Sequence, residues 1–202
     1  MTASSARAQG RPSATDHAAI ERAAFALFAE QGFDETTMED IARAVGVGRR
    51  TLFRYFPSKN DIPWGQFDES LEYFRRQLAA VPADVPLADA VHDGVVAFNR
   101  FDDAALDQHR FRMRLILTTP ALQAHSAIKY EAWRRVIAEF VAQRLSLEPD
   151  GQLPRLVGHV SLALSVAAYE QWLDEPASSL TDLLDQGLSL LRTYAGSERL
   201  RP

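Results

Sequence analysis

Residues 37–59 read TMEDIARAVGVGRRTLFRYFPSK, and this stretch decides the fold. Met38, Ile41, Ala42 and Val45 fall at i, i+3, i+4 and i+7, the spacing of a short helix with one apolar side. Thr37 and Asp40 make a capping box at its start, and Gly46 ends it. Val47-Gly48 leads directly into a second helix over 49–56, closed by Pro57. Leu52, Phe53 and Phe56 are expected to turn inward there. Arg49, Arg50, Thr51, Arg54 and Tyr55 are left outward or flanking. So short a helix is not stable alone and must be held by packing. Packing of this kind is what a recognition helix in a helix-turn-helix requires. Arginines in a first turn oppose the helix dipole. A plain three-helix subdomain does not account for that conflict, whereas a phosphate-facing surface does.

Working outward, a first helix is expected over 16–31, with Ile20, Ala24, Leu27 and Phe28 on one face and Gly32 as its stop. Residues 1–15 read as a disordered arm. Its Arg7 and Arg11 either reach a minor groove or form a solvated tail. Downstream, Ser58 and Asp61 make a second capping box, so a fourth helix is expected to start there. Pro63 falls in its second turn and deletes a backbone bond. A kinked or delayed start near Pro63 is expected, either as a hinge or as rigid local packing. Further helices are expected over 87–101, 107–119, 121–147, 154–173 and 180–195, the last with Leu183, Leu184, Leu188 and Leu191 on a stripe. No strand pattern or internal repeat interrupts them. The expectation is an all-α protein of about nine helices. Residues 16–60 would form a helix-turn-helix domain, 61–196 an effector-binding and dimerisation domain, and 197–202 a tail.

The net charge of -5 argues by itself against a nucleic-acid binder. Its distribution reverses the argument. Residues 1–60 carry eight Lys/Arg against seven Asp/Glu, and 49–59 hold four basic residues and no acid. Arginine outnumbers lysine twenty to two. That bias suits bidentate contacts, although genome composition alone could produce it. The absence of cysteine excludes disulfides, thiolate metal sites and a cysteine nucleophile. The N-terminus lacks a signal-peptide core, and the stretch 156–169 is too short and broken to span a bilayer. A cytoplasmic protein without membrane contact is expected. The five histidines fit no metal or triad motif, and no nucleophile elbow or phosphate loop occurs. An enzyme, a metal site and a cofactor are therefore not expected.

The run VGVGRRTLFRYFPSKNDI resembles the DNA-binding signature of the TetR/AcrR family of transcriptional regulators. Thr37, Gly46, Val47, Thr51, Leu52, Tyr55, Phe56, Lys59 and Asp61 match its pattern. The upstream ALFAEQGFDETTMEDIARAVGV resembles the family's first two helices. Two residues depart. Phe53 replaces a tyrosine whose hydroxyl often touches phosphate, and Gly48 replaces a capping serine. SKNDIPWGQF is similar to the regulators found with the mycofactocin system. The resemblance implies a homodimer through helices eight and nine, a double-stranded palindromic operator and a small-molecule effector. Arg49, Arg50 and Thr51 are expected on base edges, and Thr37, Arg54, Tyr55 and Lys59 on phosphates.

For the effector, the resemblance implies that part of an aromatic group on helices five to eight lines a cavity. Phe98, Phe111, Trp133, Ile137 and Tyr169 are the candidates, with Arg114 for an anionic group. Arg110, Arg112 and Arg114 alternate along one helix, so they cannot share a face and at least one is expected inward or on a partner. An acyl-coenzyme A or fatty acid fits such a lining. Salt bridges to Asp102, Asp103, Glu131 and Glu139 are the alternative. A sequence-tolerant architectural DNA-binding protein remains the alternative function.

Overall fold

Why the chain is helical throughout is visible in its caps and periodicity. The computed structural model describes residues 16–196, and its regular elements are all helices. They are α1 (His17–Gln31), α2 (Met38–Val45), α3 (Arg49–Tyr55), α4 (Phe67–Ala79), α5 (Leu87–Phe98), α6 (Asp103–Thr118), α7 (Pro120–Leu145), α8 (Gln152–Asp174) and α9 (Leu180–Gly196). A 3-10 turn, Lys59–Trp64, stands between α3 and α4. Arg7, Arg11 and the tail 197–202 lie outside the described residues. The chain divides into two units after Gly65, rather than after residue 60.

In the first unit Asp16 caps α1, accepting from the amide of Ala19 at 2.7 Å. Ile20, Ala24, Phe25 and Phe28 are buried from α1, so Phe25 rather than Leu27 joins the core face. Ile41 of α2 and Leu52 of α3 are fully buried beside them, as is Phe56 just beyond. Ring contacts of Phe28 with Phe25 and Phe33 continue the same core.

The second unit is built on α7 and α8. Gly158 of α8 lies where a Cβ would come within 2.9 Å of the Arg134 carbonyl oxygen, so the two backbones meet closely there. Trp133, Ile137 and Val141 give α7 its buried side. α5 stops at Phe98, short of 101, because the Asn99 side chain turns back to donate to Val95 O at 2.8 Å. The stretch expected as a loop, 102–106, instead starts α6. Asp102 takes the extended N-cap position, Asp103 complements the dipole, and Ala104-Ala105-Leu106 are strong helix formers. The fourth helix is delayed as expected: the 3-10 turn carries Pro63, Gly65 breaks it, and α4 starts at Phe67. Arg144 of α7 ties down the α4–α5 connector, donating to the carbonyls of Val81, Pro82, Ala83 and Val85 at 2.6 to 3.4 Å. Among the described residues no helix is long and apolar enough to cross a membrane.

Candidate nucleic-acid interface

The frame that presents α3 is set by two helix ends. At the start of α2, Asp40 N donates to the Thr37 hydroxyl at 3.2 Å, and Asp40 Oδ2 accepts from Thr37 N at 3.1 Å and from that hydroxyl at 2.6 Å. These bonds, with Arg43 adding to them, hold the Asp40 carboxyl below its ordinary value. At the other end Gly46 adopts a left-handed conformation (φ 71°), and Val47 N closes on Ala42 O at 3.0 Å. α3 begins at once, with Gly48 at its N-cap and no side chain bonding the first amides.

On α3, Leu52 is the buried residue, with Phe56 just past the end. Phe53 was expected inward but is 37% exposed. One residue turns the helix about 100°, so Leu52 and Phe56 use up the inward side of so short an element. Phe53 instead shares the outer side with Arg49, whose guanidinium carbon lies 5.3 Å from its ring centre. Arg49 Nη1 also pairs with Glu39 Oε1 of α2 at 2.6 Å. Arg50 and Arg54 are exposed, with no ion pair among the described residues. Thr51 and Tyr55 are half-buried, and the Tyr55 ring meets His17 edge-on at 5.0 Å. α3 thus gathers Arg49, Arg50, Phe53 and Arg54 on its exposed side. Glu39 and Phe53 were missed in the sequence. Only Phe53 had a local signal, its i+4 spacing from Arg49.

Lys59 does not join them. Its Nζ donates to Phe33 O at 2.6 Å, Thr36 O at 2.8 Å and Asp34 O at 3.1 Å. An ammonium has three hydrogens, and all three are engaged, so the phosphate role expected for Lys59 gives way to a structural one. Burial lowers its pKa, while Asp34 and Glu35 oppose the shift. Six residues on, Gly65 has φ +54°, and a Cβ there would lie 2.7 Å from Glu21 Oε1. The exit from this unit is therefore fixed by a left-handed glycine seated on a buried carboxyl group.

The residues expected at an effector fall into separate places in the second unit. Phe98 and Trp133 come together with Phe74, ring centres 5.0 to 6.2 Å apart, and Ile137 is fully buried one turn along α7. Tyr169 belongs to a neighbouring polar group with Asn99 and His109. Phe111 is half-buried. Arg114 donates to Leu173 O at 3.3 Å, and Arg110 donates to Trp172 O and Pro176 O while lying 3.9 Å over the Trp172 ring. Both arginines therefore cap the C-terminal end of α8, where carbonyls carry the negative end of the dipole. Arg134 and Arg135 pair with Glu131 and Glu139. Arg110 and Arg112 are half-buried, and Arg114 is exposed.

Residues 20–62 match the model for bacterial regulatory proteins of the tetR family, and residues 85–195 match the MftR C-terminal domain. The chain belongs to the TetR family. It is 42% identical over 191 residues to MftR of Mycobacterium tuberculosis (strain ATCC 25618 / H37Rv), a proposed mycofactocin biosynthesis transcriptional regulator, covering 95% of this chain and 96% of that one. It is 29% identical to the HTH-type transcriptional regulator TcmR of Streptomyces glaucescens, covering 90% and 84%. Among solved structures it resembles Thermus thermophilus FadR, a TetR family transcriptional repressor in complex with lauroyl-CoA, with TM-score 0.56, 24% identity and coverage of 93% and 99%. Bacillus halodurans FadR, a fatty acid degradation regulator, gives TM-score 0.63 at 18% identity, covering 92% and 100%. These two likenesses show the fold. TetR proteins are transcriptional regulators and not enzymes; they act on DNA as dimers and answer to small molecules. This chain is a TetR transcriptional regulator whose first unit carries the DNA-binding helices.

Proposed function

We propose that the protein is a dimeric cytoplasmic repressor that holds a palindromic operator and is released by an apolar or amphipathic effector. The observation that carries this reading is the exposed side of α3, where Arg49, Arg50 and Arg54 stand together on a short, capped frame. Arg49, Arg50 and Thr51 read base edges, arginine favouring guanine through two hydrogen bonds. Arg54, Tyr55 and Thr37 hold phosphates, Thr37 by exchanging its bond to Asp40. α8 and α9 supply the dimer interface. Leu156, Leu190 and Tyr194 are 55%, 68% and 71% exposed on them, more apolar surface than a lone monomer needs to show. Two-fold symmetry then sets the recognition helices about 34–36 Å apart.

The effector side rests on the aromatic interior around Phe98 and Trp133. It is supported by the lauroyl-CoA bound in Thermus thermophilus FadR, a protein of the same fold. An acyl-coenzyme A or fatty acid is the class proposed. The 42% identity to MftR makes mycofactocin biosynthesis genes the proposed target. Selection of bound duplexes from a random pool tests the first half. A palindrome favoured by about 10³-fold or more over bulk DNA is expected. Weak preference without dyad symmetry would favour an architectural DNA-binding protein instead. Adding acyl-coenzyme A esters of graded length to the selected complex tests release.

A further inference from the structure

A chain of hydrogen bonds in the second unit has a defined direction. Asn99 Nδ2 donates to Val95 O at 2.8 Å, so its Oδ1 accepts. That oxygen takes the Tyr169 hydroxyl hydrogen at 2.8 Å. The Tyr169 oxygen can then only accept, and its donor is His109 Nε2 at 2.9 Å. The hydrogen of the imidazole is thereby fixed on Nε2, and Nδ1 is left as a bare acceptor. His109 is 8% exposed, and its Nδ1 is buried with no hydrogen-bond partner among the described residues. Burial first, and then the charge of Arg112, pull the His109 pKa down to about 3, so protonation does not relieve the bare nitrogen near neutrality. A buried acceptor without a donor is costly, and native folds rarely keep one without a use.

We propose that His109 Nδ1 is a polar anchor for the effector, accepting a hydrogen bond from an uncharged hydroxyl or amide N–H on an otherwise apolar ligand. The proposal rests on the effector-released reading given above. An ionised carboxylate or phosphate has no hydrogen to give and does not satisfy Nδ1, so of the two classes above this anchor selects an acyl-coenzyme A, with its amide N–H groups, over an ionised fatty acid. An ammonium has hydrogens, but the nearby Arg112 charge disfavours it. The surroundings suit an apolar chain. Phe101 stacks on the imidazole at 3.7 Å, Trp172 lies 5.9 Å from it, and Phe98, next to Asn99, continues to Phe74 and Trp133. Phe101 is half-buried in the short connector between α5 and α6.

The test uses the full chain and three probes: dodecan-1-ol, dodecyl methyl ether and lauroyl-CoA. The alcohol and the ether share a chain and an acceptor, and only the alcohol has a donor. Calorimetry is expected to give the alcohol an advantage of about tenfold over the ether. His109→Gln keeps a donor for Tyr169 and replaces Nδ1 by an amide oxygen at a different position, so in that variant the advantage of the alcohol over the ether is expected to fall. Nitrogen NMR of the wild-type ring needs no variant: the Nδ1 resonance is expected to move with the alcohol and not with the ether. Lauroyl-CoA binding with equal alcohol and ether affinities and a fixed Nδ1 resonance would overturn the His109 anchor and leave the effector reading standing. Binding of none of the three would overturn both.

Discussion

Glu39 of α2 holds Arg49 of α3 at 2.6 Å, across the turn that separates the two helices. Both side chains are largely exposed, so the pair adds only about 0–1 kcal/mol to stability. Its effect falls on where the guanidinium sits, between a carboxylate and the Phe53 ring. Arg49→Ala is expected to cost about 1–3 kcal/mol on the selected operator and to relax one base position. Glu39→Gln removes a negative charge from beside Arg49. Binding to random duplex should hold or rise, while the ratio of operator to random binding falls. Titrations of both variants on both duplexes check this; equal losses on the two duplexes would refute base reading.

Arg54 and Lys59 should separate cleanly. Arg54→Ala is expected to weaken all sequences alike and flatten the salt dependence by about one unit. Lys59→Ala should leave that slope in place. It removes three charge-assisted bonds to backbone carbonyls and should lower stability by about 1.5–3 kcal/mol. Salt titration and thermal unfolding of the two variants give the comparison.

Two glycines in the first unit should respond with opposite signs. At Gly48 a Cβ meets nothing within 4 Å and the backbone is extended, so Gly48→Ser supplies the missing cap. A gain of about 0.5–1 kcal/mol is expected. Gly65→Ala forces a side chain into a left-handed backbone and onto Glu21. It should lose about 1–3 kcal/mol. Urea unfolding curves measure both.

Stability should also depend on pH through His109. Its folded pKa, about 3, lies below the ordinary 6.5, so the unfolded chain binds the proton first as pH falls. Stability is fully present above about 6.5 and is lost on the way down to about 3, by about 1.4 kcal/mol per pH unit. The urea-derived stability of wild type relative to His109→Gln should fall with that slope from about pH 6 downward. A flat difference would mean that the imidazole is protonated inside the fold.

The exposed leucine on α9 tests the dimer. Leu190→Glu should leave monomer stability within about 0.5 kcal/mol, because the side chain is exposed. It should shift sedimentation toward the monomer and weaken operator binding, since the two half-sites lose their link.

The DNA-binding frame was legible because its instructions are local. A capping box, a left-handed glycine and a four-residue apolar pattern all lie within ten residues of one another. The orientation of Phe53 was not, because two other apolar residues compete for the same side of a short helix. Lys59 looked like a phosphate ligand because nothing nearby in sequence revealed carbonyls 23 to 26 positions back. The alternating arginines did signal different destinations. That Arg110 and Arg114 close the end of α8, some sixty positions on, is information only the tertiary fold supplies. The His109 chain likewise joins residues 60 and 70 positions apart.

The tether from Lys59 to the turn before α2, followed by Gly65 on Glu21, makes the 3-10 turn part of the reading head rather than a linker. This fixes where such regulators can be recombined. A graft that exchanges heads at Pro57 would part the Phe33–Thr36 carbonyls from the Lys59 that evolved with them. A graft made at Gln66 carries lock and key together, and the transplanted head keeps its own footing whatever body it is given.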